Sequence, residues 1–256
     1  MREQMVQLSE LIRYTNTLLE IERYRDYCPN GLQVEGRAEV TKIVTGVTAS
    51  QALIDAAIDE QADLILVHHG YFWKGEEPTI SGIKRRRIKS LLDNNISLLA
   101  YHLPLDGHTD LGNNTHLAKL WGFDVDGRFG EGIDGGLGLY SDLPKPVSIN
   151  ALVKQVSESL GREVTHLPGG GEMVKRVGWC SGGADGYFQA AINSGCDLYI
   201  TGEASEPAFH IAQEIGAHFI AAGHHATERG GVRQLGEHLT EMFNIEHRFI
   251  DIPNPV

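Results

Sequence analysis

The run Leu64-Ile-Leu-Val-His68-His69-Gly70 does more than any other stretch to limit the folds open to this chain. Four apolar residues lead into two imidazoles and a glycine, the pattern of a strand buried on both faces that runs out into a loop. Upstream, the β-branched segment 42–48 reads as another strand, and Ser50 as the N-cap of a helix over 51–60. Strand, helix, strand in that order is a βαβ unit and therefore a parallel sheet. In open α/β sheets ligands gather at the carboxyl ends of strands, which is where His68 and His69 stand.

The same pattern recurs. A helix over 83–94 precedes a strand over 96–101 that ends in His102-Leu-Pro-Leu-Asp106, and a helix over 111–121 stops at Gly122. From there to Pro146 the chain is glycine-rich and acidic, which predicts loops with at most short strands and a domain boundary near residue 125. Ser148 caps a helix running to about Leu160, strands follow at 163–166 and 174–180, and 169–171 is a turn. Ala56-Ala-Ile58 and Asp63-Leu64 then reappear at one offset as Ala190-Ala-Ile192 and Asp197-Leu198, and His102-x-x-x-Asp106 is echoed by His224-x-x-x-Glu228. Two related α/β units are expected, closed by a helix over 232–243 and a strand over 246–252.

Three strand ends thus offer His68 and His69, then His102 and Asp106, then His224, His225 and Glu228. Imidazole with carboxylate is the donor set of divalent transition metals, so Zn, Fe, Mn or Ni is expected, whereas Ca and Mg favour oxygen alone. Neighbouring residues of a strand point to opposite sides, so His68 and His69 suit two neighbouring ions better than one. His224 and Glu228, four apart at a strand-to-helix junction, converge, and Glu228 with two oxygens is the candidate bridge. Asp106 completes a shell. Two ions so placed turn a bridging water into a hydroxide nucleophile, which is metal-assisted hydrolysis. His102, His225 and Glu203 are read as partners that orient a ligand or shuttle a proton, or as polar residues beside the site.

Other features are weaker. Lys84-Arg-Arg-Arg87 reads as a solvated helix face, Ser181-Gly-Gly-Ala-Asp-Gly186 as a tight connection rather than a phosphate loop, and Tyr71, Phe72 and Trp73 as either a wall of the site or packing beneath the sheet. Lys and Arg total 22 against 34 Asp and Glu, a formal charge of −12 that disfavours nucleic acid. Three cysteines without a CxxC spacing indicate reduced thiols, and with no signal-peptide core or spanning segment the expected location is the cytoplasm.

Val67-His-His-Gly-Tyr-Phe-Trp-Lys-Gly75, His102-Leu-Pro-Leu-Asp106, Thr201-Gly-Glu203, Gly223-His-His-Ala-Thr-Glu-Arg-Gly-Gly231 and Pro29-Asn-Gly-Leu-Gln-Val34 resemble motifs of the YbgI-like branch of the Nif-three-like superfamily, the GTP cyclohydrolase type 2 homologues. The resemblance implies a discontinuous first domain over 1–125 and 203–256 that binds metal, and a second over 126–202. It also implies a homohexameric toroid, a dinuclear site on His68, His69, Asp106, His224 and Glu228, and a small-molecule substrate such as a purine nucleotide or related heterocycle. The rival expectations are a metal-binding or metallocentre-delivery protein without turnover, and a ring-shaped scaffold.

Overall fold

The computed structural model describes residues 5–256, so the first four residues of the expected first domain lie outside the described residues. In chain order the elements are β1 (Val6–Gln7), α1 (Leu8–Leu18), β2 (Gly31–Val34), β3 (Glu39–Val40), β4 (Lys42–Thr48), α2 (Gln51–Asp59), β5 (Leu64–His69), α3 (Gly82–Asp93) and β6 (Ser97–Ala100). Next come α4 (Leu103–Gly107), α5 (Asn113–Trp121), β7 (Gly127–Phe129), β8 (Gly138–Ser148), α6 (Ile149–Leu160), β9 (Thr165–Leu167), β10 (Met173–Trp179) and α7 (Phe188–Asn193). The chain finishes with β11 (Leu198–Thr201), α8 (Pro207–Ile215), β12 (His218–Ala221), α9 (His224–Thr227), α10 (Arg229–Phe243) and β13 (Glu246–Phe249). Ser50 and Ser148 cap as expected, accepting from the Leu53 and Ala151 amides, and Gly122 ends α5 in the left-handed conformation.

Two compact units result. The first comprises the N-terminal stretch to Leu105 with Gly231–Pro253. Its five-stranded sheet has the order β13-β4-β5-β6-β2, parallel except for β2, and β1 pairs with β3 beside it. Val44, Ile65, Val67 and Leu98 from the strands pack on Leu53, Ile54 and Ala57 of α2 and on Ile88 and Leu91 of α3. Of the basic run on α3 only Arg85 and Arg86 are exposed, as a solvated face requires; Lys84 is folded down on Glu76 at 3.0 Å with its side chain 10% exposed, and Arg87 is half-buried, because the long stems cover apolar surface.

The second unit, Asp106–Gly230 with Asn254–Val256, has a six-stranded sheet of order β7-β8-β10-β11-β12-β9 in which β10, β11 and β12 are parallel. Trp121, Leu152, Val156, Val177, Trp179, Leu198 and Ile220 form its core. By packing, the chain divides at 105/106 and 230/231, whereas the sequence reading sets the divisions at 125 and 203. The reason is burial and pairing: α5 sinks Leu117, Ala118 and Trp121 into the second core, and β12 pairs with β11.

The stretch read as loops with short strands contains the eleven-residue β8. Gly130, Gly132, Gly135 and Gly136 turn at positive φ, but Gly127 and Gly138 serve close approach: a Cβ on Gly138 would lie 2.5 Å from the Phe129 ring, and one on Gly127 would lie 2.4 Å from that of Tyr140. Pro144 and Pro146 lack an amide to donate, and there the β8–β10 ladder shifts register between Arg176↔Asp142 and Val174↔Val147. The segments that became β2 and α8 carry too little periodicity to stand out in the sequence.

The repeat between the units has a physical core. The Asp63 amide donates to Lys42 O at 3.0 Å and its carbonyl accepts from Ser97 N, while Asp197 bonds Arg176 O at 2.9 Å and accepts from His218 N. Each carboxylate then clasps the preceding strand, Asp63 at the start of β4 and Asp197 near the middle of β10. Asp63 Oδ2 accepts from the Thr41 and Lys42 amides at 2.7 and 3.1 Å, and Asp197 Oδ2 from those of Lys175 and Arg176 at 2.7 and 3.0 Å. Asp63 also accepts from Arg37 at 2.7 Å and is buried. Asp63→Ala leaves these donors without their carboxylate and is expected to cost about 3 kcal/mol, because hydrogen bonds to a charged group are strong and orphaned donors are penalised. Urea unfolding reads this directly; a loss below about 0.5 kcal/mol, the level of a neutral surface change, would contradict the clasp.

Candidate metal centre

In the first unit the carboxyl end of β5 presents His68 and His69, and the residue after Tyr101, beyond β6, presents His102. The twist at the strand end sets the His68 and His69 rings 4.6 Å apart between centroids, and the His102 ring stands 5.1 Å from His68 and 5.8 Å from His69. Each offers a ring nitrogen within 4.8 Å of the other two. His68 is fully buried and its Nδ1 meets the Tyr101 carbonyl at 2.9 Å; the Nδ1 of His69 meets the Thr48 hydroxyl at 3.3 Å. Gly70 keeps the exit open, since a Cβ there would lie 2.2 Å from the Gln33 amide oxygen.

The three aromatics after Gly70 divide between the two readings. Tyr71 is buried, donating to Ala49 O at 2.8 Å, and Phe72 packs against the core. Trp73 donates to Gly70 O at 3.1 Å and stands edge-on to His102 at 4.9 Å, walling the histidine cluster.

Asp26 is a member of this group that sequence reasoning missed. It accepts from His102 Nδ1 at 2.7 Å, from Asn30 Nδ2 and the Leu103 amide at 2.9 Å each, and from the Tyr27 amide at 2.6 Å. Burial works to raise its pKa, but the hydrogen bond and charge of His102, with Asn30 and the Tyr27 amide, outweigh it and lower the value. The available signal was that Asp26 lies three residues before the Pro29–Val34 motif that carries part of the family resemblance.

In the second unit, Asp106 lies in α4, His224 opens α9 directly after β12, and Glu228 closes that helix. Asp106 is buried, and its Oδ1 accepts from Asn113 Nδ2 at 2.9 Å and Ser181 Oγ at 2.8 Å. Glu228 is 2% exposed, and its Oε1 stands 3.2 Å from His224 Nε2, so the i, i+4 pair converges. Glu203, after β11, meets His224 Nδ1 at 2.5 Å. Burial acts to lower the His224 pKa, but Glu228 and Glu203 outweigh it and push it up to about 9. The same two carboxylates that favour a proton on His224 would favour a divalent cation in its place. His225 is buried, donates its amide to Val256 O at 3.0 Å, and joins no ligand cluster among the described residues.

The Ser181–Gly186 connection spends its backbone internally. Gly182 and Ala184 donate to the hydroxyls of Thr227 and Thr201 at 3.0 and 3.3 Å, and Gly182 O accepts from Thr201 and Gly202. Gly182 is held at φ +65°, and a Cβ on it would lie 2.1 Å from Glu228 Oε1 and 3.1 Å from His224 Nε2. The three cysteines are buried and free; burial pushes the Cys28 and Cys196 thiols up to about 12, and raises Cys180 as well. Among the described residues no helix is long and apolar enough to cross a membrane.

Known proteins bear on this arrangement. A family model described as Duf34/NIF3 (NGG1p interacting factor 3) matches residues 6–255. A Pseudomonas aeruginosa protein named GTP cyclohydrolase 1 type 2 homolog is 53% identical over 250 residues, covering 98% of this chain and 99% of its own. An Escherichia coli K12 protein of the same name is 50% identical over 248 residues, covering 96% and 98%. Among solved structures, one described as protein ybgI of unknown function superposes with a TM-score of 0.93 at 49% identity, covering 98% of this chain and all of that one. TTHA1606 from Thermus thermophilus does so with 0.89 at 34% identity, over the same shares.

Proposed function

The chain belongs to the Duf34/NIF3 family, and on that premise we propose that it is a dinuclear metal-dependent hydrolase of a small molecule. His68, His69, Asp106, His224 and Glu228 would hold two divalent transition-metal ions, drawn from Fe, Zn, Mn and Ni, with Glu228 as the ligand common to both. The observation that carries this reading is the build of the donors: buried carboxylates and imidazoles whose Nδ1 atoms are already tied from behind, by Tyr101 O, Thr48 and Glu203. That is how ligand histidines are oriented, with the other ring nitrogen aimed at the ion.

When bound, the ions supply Lewis-acid activation of water and of the group under attack. The chain's own residues do the rest. Glu203 orients His224, Asn113 and Ser181 hold one oxygen of Asp106, and Trp73 shields the histidine cluster on one side. The name shared by the relatives from P. aeruginosa and E. coli points to a purine nucleotide or related heterocycle as substrate. A homo-oligomeric ring of six subunits, which the family resemblance implies, is the assembly to test by light scattering. Buried, free cysteines fit a reducing compartment, the cytoplasm.

The test is to load the purified protein with each of the four metals, measure ions per subunit by mass spectrometry, and assay nucleotides, phosphoesters and cyclic amides. Two ions per subunit with hydrolysis of one class is the expected result. Two tightly held ions with no turnover on any panel member would leave a metal-holding protein and sink the hydrolase.

A further inference from the structure

His102 shares a feature with the proposed ligands. His68, His69 and His224 each have Nδ1 engaged from behind, and so does His102, on the strongest acceptor available, the carboxylate of Asp26 at 2.7 Å. An ionised carboxylate only accepts, so His102 Nδ1 carries a hydrogen, and the tautomer this selects for metal binding is the one that presents Nε2 to an ion. The backbone is pinned as well: the His102 amide donates to Asn30 Oδ1 at 2.8 Å, and Asn30 Nδ2 donates to Asp26 at 2.9 Å. This much fixation is out of proportion to a bystander histidine and fits a group whose free nitrogen must be delivered to one point.

We propose that His102 is a further metal ligand, making a three-imidazole set with His68 and His69 in the first unit, and that Asp26 is the residue that positions it. The inference rests on the metal-binding part of the proposed function. It extends the donor set rather than relocating it, since His102 offers a ring nitrogen within 4.8 Å of one on His68 and one on His69.

A competing arrangement uses some of the same atoms. Asp26, Cys28 and His102 also bring potential donors within 4.8 Å of one another. Yet the two oxygens of Asp26 already accept four hydrogen bonds, from the Tyr27 and Leu103 amides, Asn30 and His102. Cys28, besides, is buried with its thiol pushed up to about 12. Asp26 is therefore the support behind a ligand and not a ligand itself, the carboxylate–histidine–metal relay that fixes tautomer and ring orientation.

The experiment uses the full chain loaded with Co2+ as a spectroscopic probe, comparing wild type with His102→Gly, His102→Gln and Asp26→Asn. Chelator competition reads affinity, and visible absorption with X-ray absorption reads the number of imidazole ligands. Removing His102 is expected to shift the Co2+ spectrum, to lower the imidazole count by one per subunit, and to be reversed in His102→Gly by added imidazole. Asp26→Asn is expected to weaken one ion about 10- to 100-fold, the usual effect of losing such a support. His102→Gln keeps the polar volume and serves should the glycine variant not fold. Wild-type spectra and affinities in the His102 variants, or a loss that imidazole does not restore, would overturn the proposal and leave the five-ligand reading standing. A wild-type chain that takes up no Co2+ would remove both.

Discussion

Gly182→Ala is expected to lower metal affinity on the order of 100-fold while leaving the secondary structure intact, the upper range for disturbing the support of a ligand. Two effects combine. The backbone at Gly182 has φ +65°, a conformation that costs an L-residue roughly 1–2 kcal/mol. More seriously, the new methyl group would lie 2.1 Å from Glu228 Oε1 and 3.1 Å from His224 Nε2, so the carboxylate has to leave its place. Glu228 is only 2% exposed, and close-packed interiors leave few alternative rotamers. Gly183→Ala is the control, because its Cβ would stand at an ordinary 3.4 Å from the His224 ring. Chelator competition on the two variants measures the contrast; equal affinities would show that Glu228 does not hold the ions.

Glu228→Ala is expected to empty both metal positions, and Glu228→Gln to do nearly as much with almost no change of shape. If Glu228 bridges, each ion loses a charged oxygen at once; metal analysis that finds one ion retained at full occupancy would refute the bridge. The metal-free protein gives an independent reading. His224 there has a pKa of about 9, above the ordinary histidine value of 6.5, because Glu228 and Glu203 outweigh its burial. A folded-state value raised in this way stabilises the protein fully below about 6.5, and the contribution is lost as pH rises through about 9. Removing the Glu228 charge should bring the His224 titration down, followed by imidazole NMR, and flatten the stability profile across that window.

Most of the α/β framework was legible in the sequence because buried parallel strands write themselves as short apolar runs, and because Ser50, Ser148 and Gly122 punctuate helices by local hydrogen bonding or backbone freedom. What escaped has physical causes. Glycine was read as a turn former between 127 and 138, but at Gly127 and Gly138 it makes room for the Tyr140 and Phe129 rings, a tertiary requirement with no local signature. β2 is an edge strand of four residues, and Asp26 acts on His102 across 76 positions, a distance over which spacing carries no information. The convergence of His224 on Glu228 was readable because both lie within one helical turn. The Asp63–Asp197 echo was visible as a repeated letter, whereas its role as a clasp on the neighbouring strand appears only once the sheets are assembled.

That clasp has a consequence for how such a protein can change over time. Asp63 sits at the amino end of β5 and His69 at the carboxyl end, about 20 Å apart for a six-residue strand. The second sheet repeats the layout, with Asp197 before β11 and Glu203 beyond it. Stability is thus anchored at one end of each sheet and chemistry at the other. Substitutions at the end that carries the histidines and carboxylates therefore need not erode the fold, because the clasps that hold the strands together lie at the other.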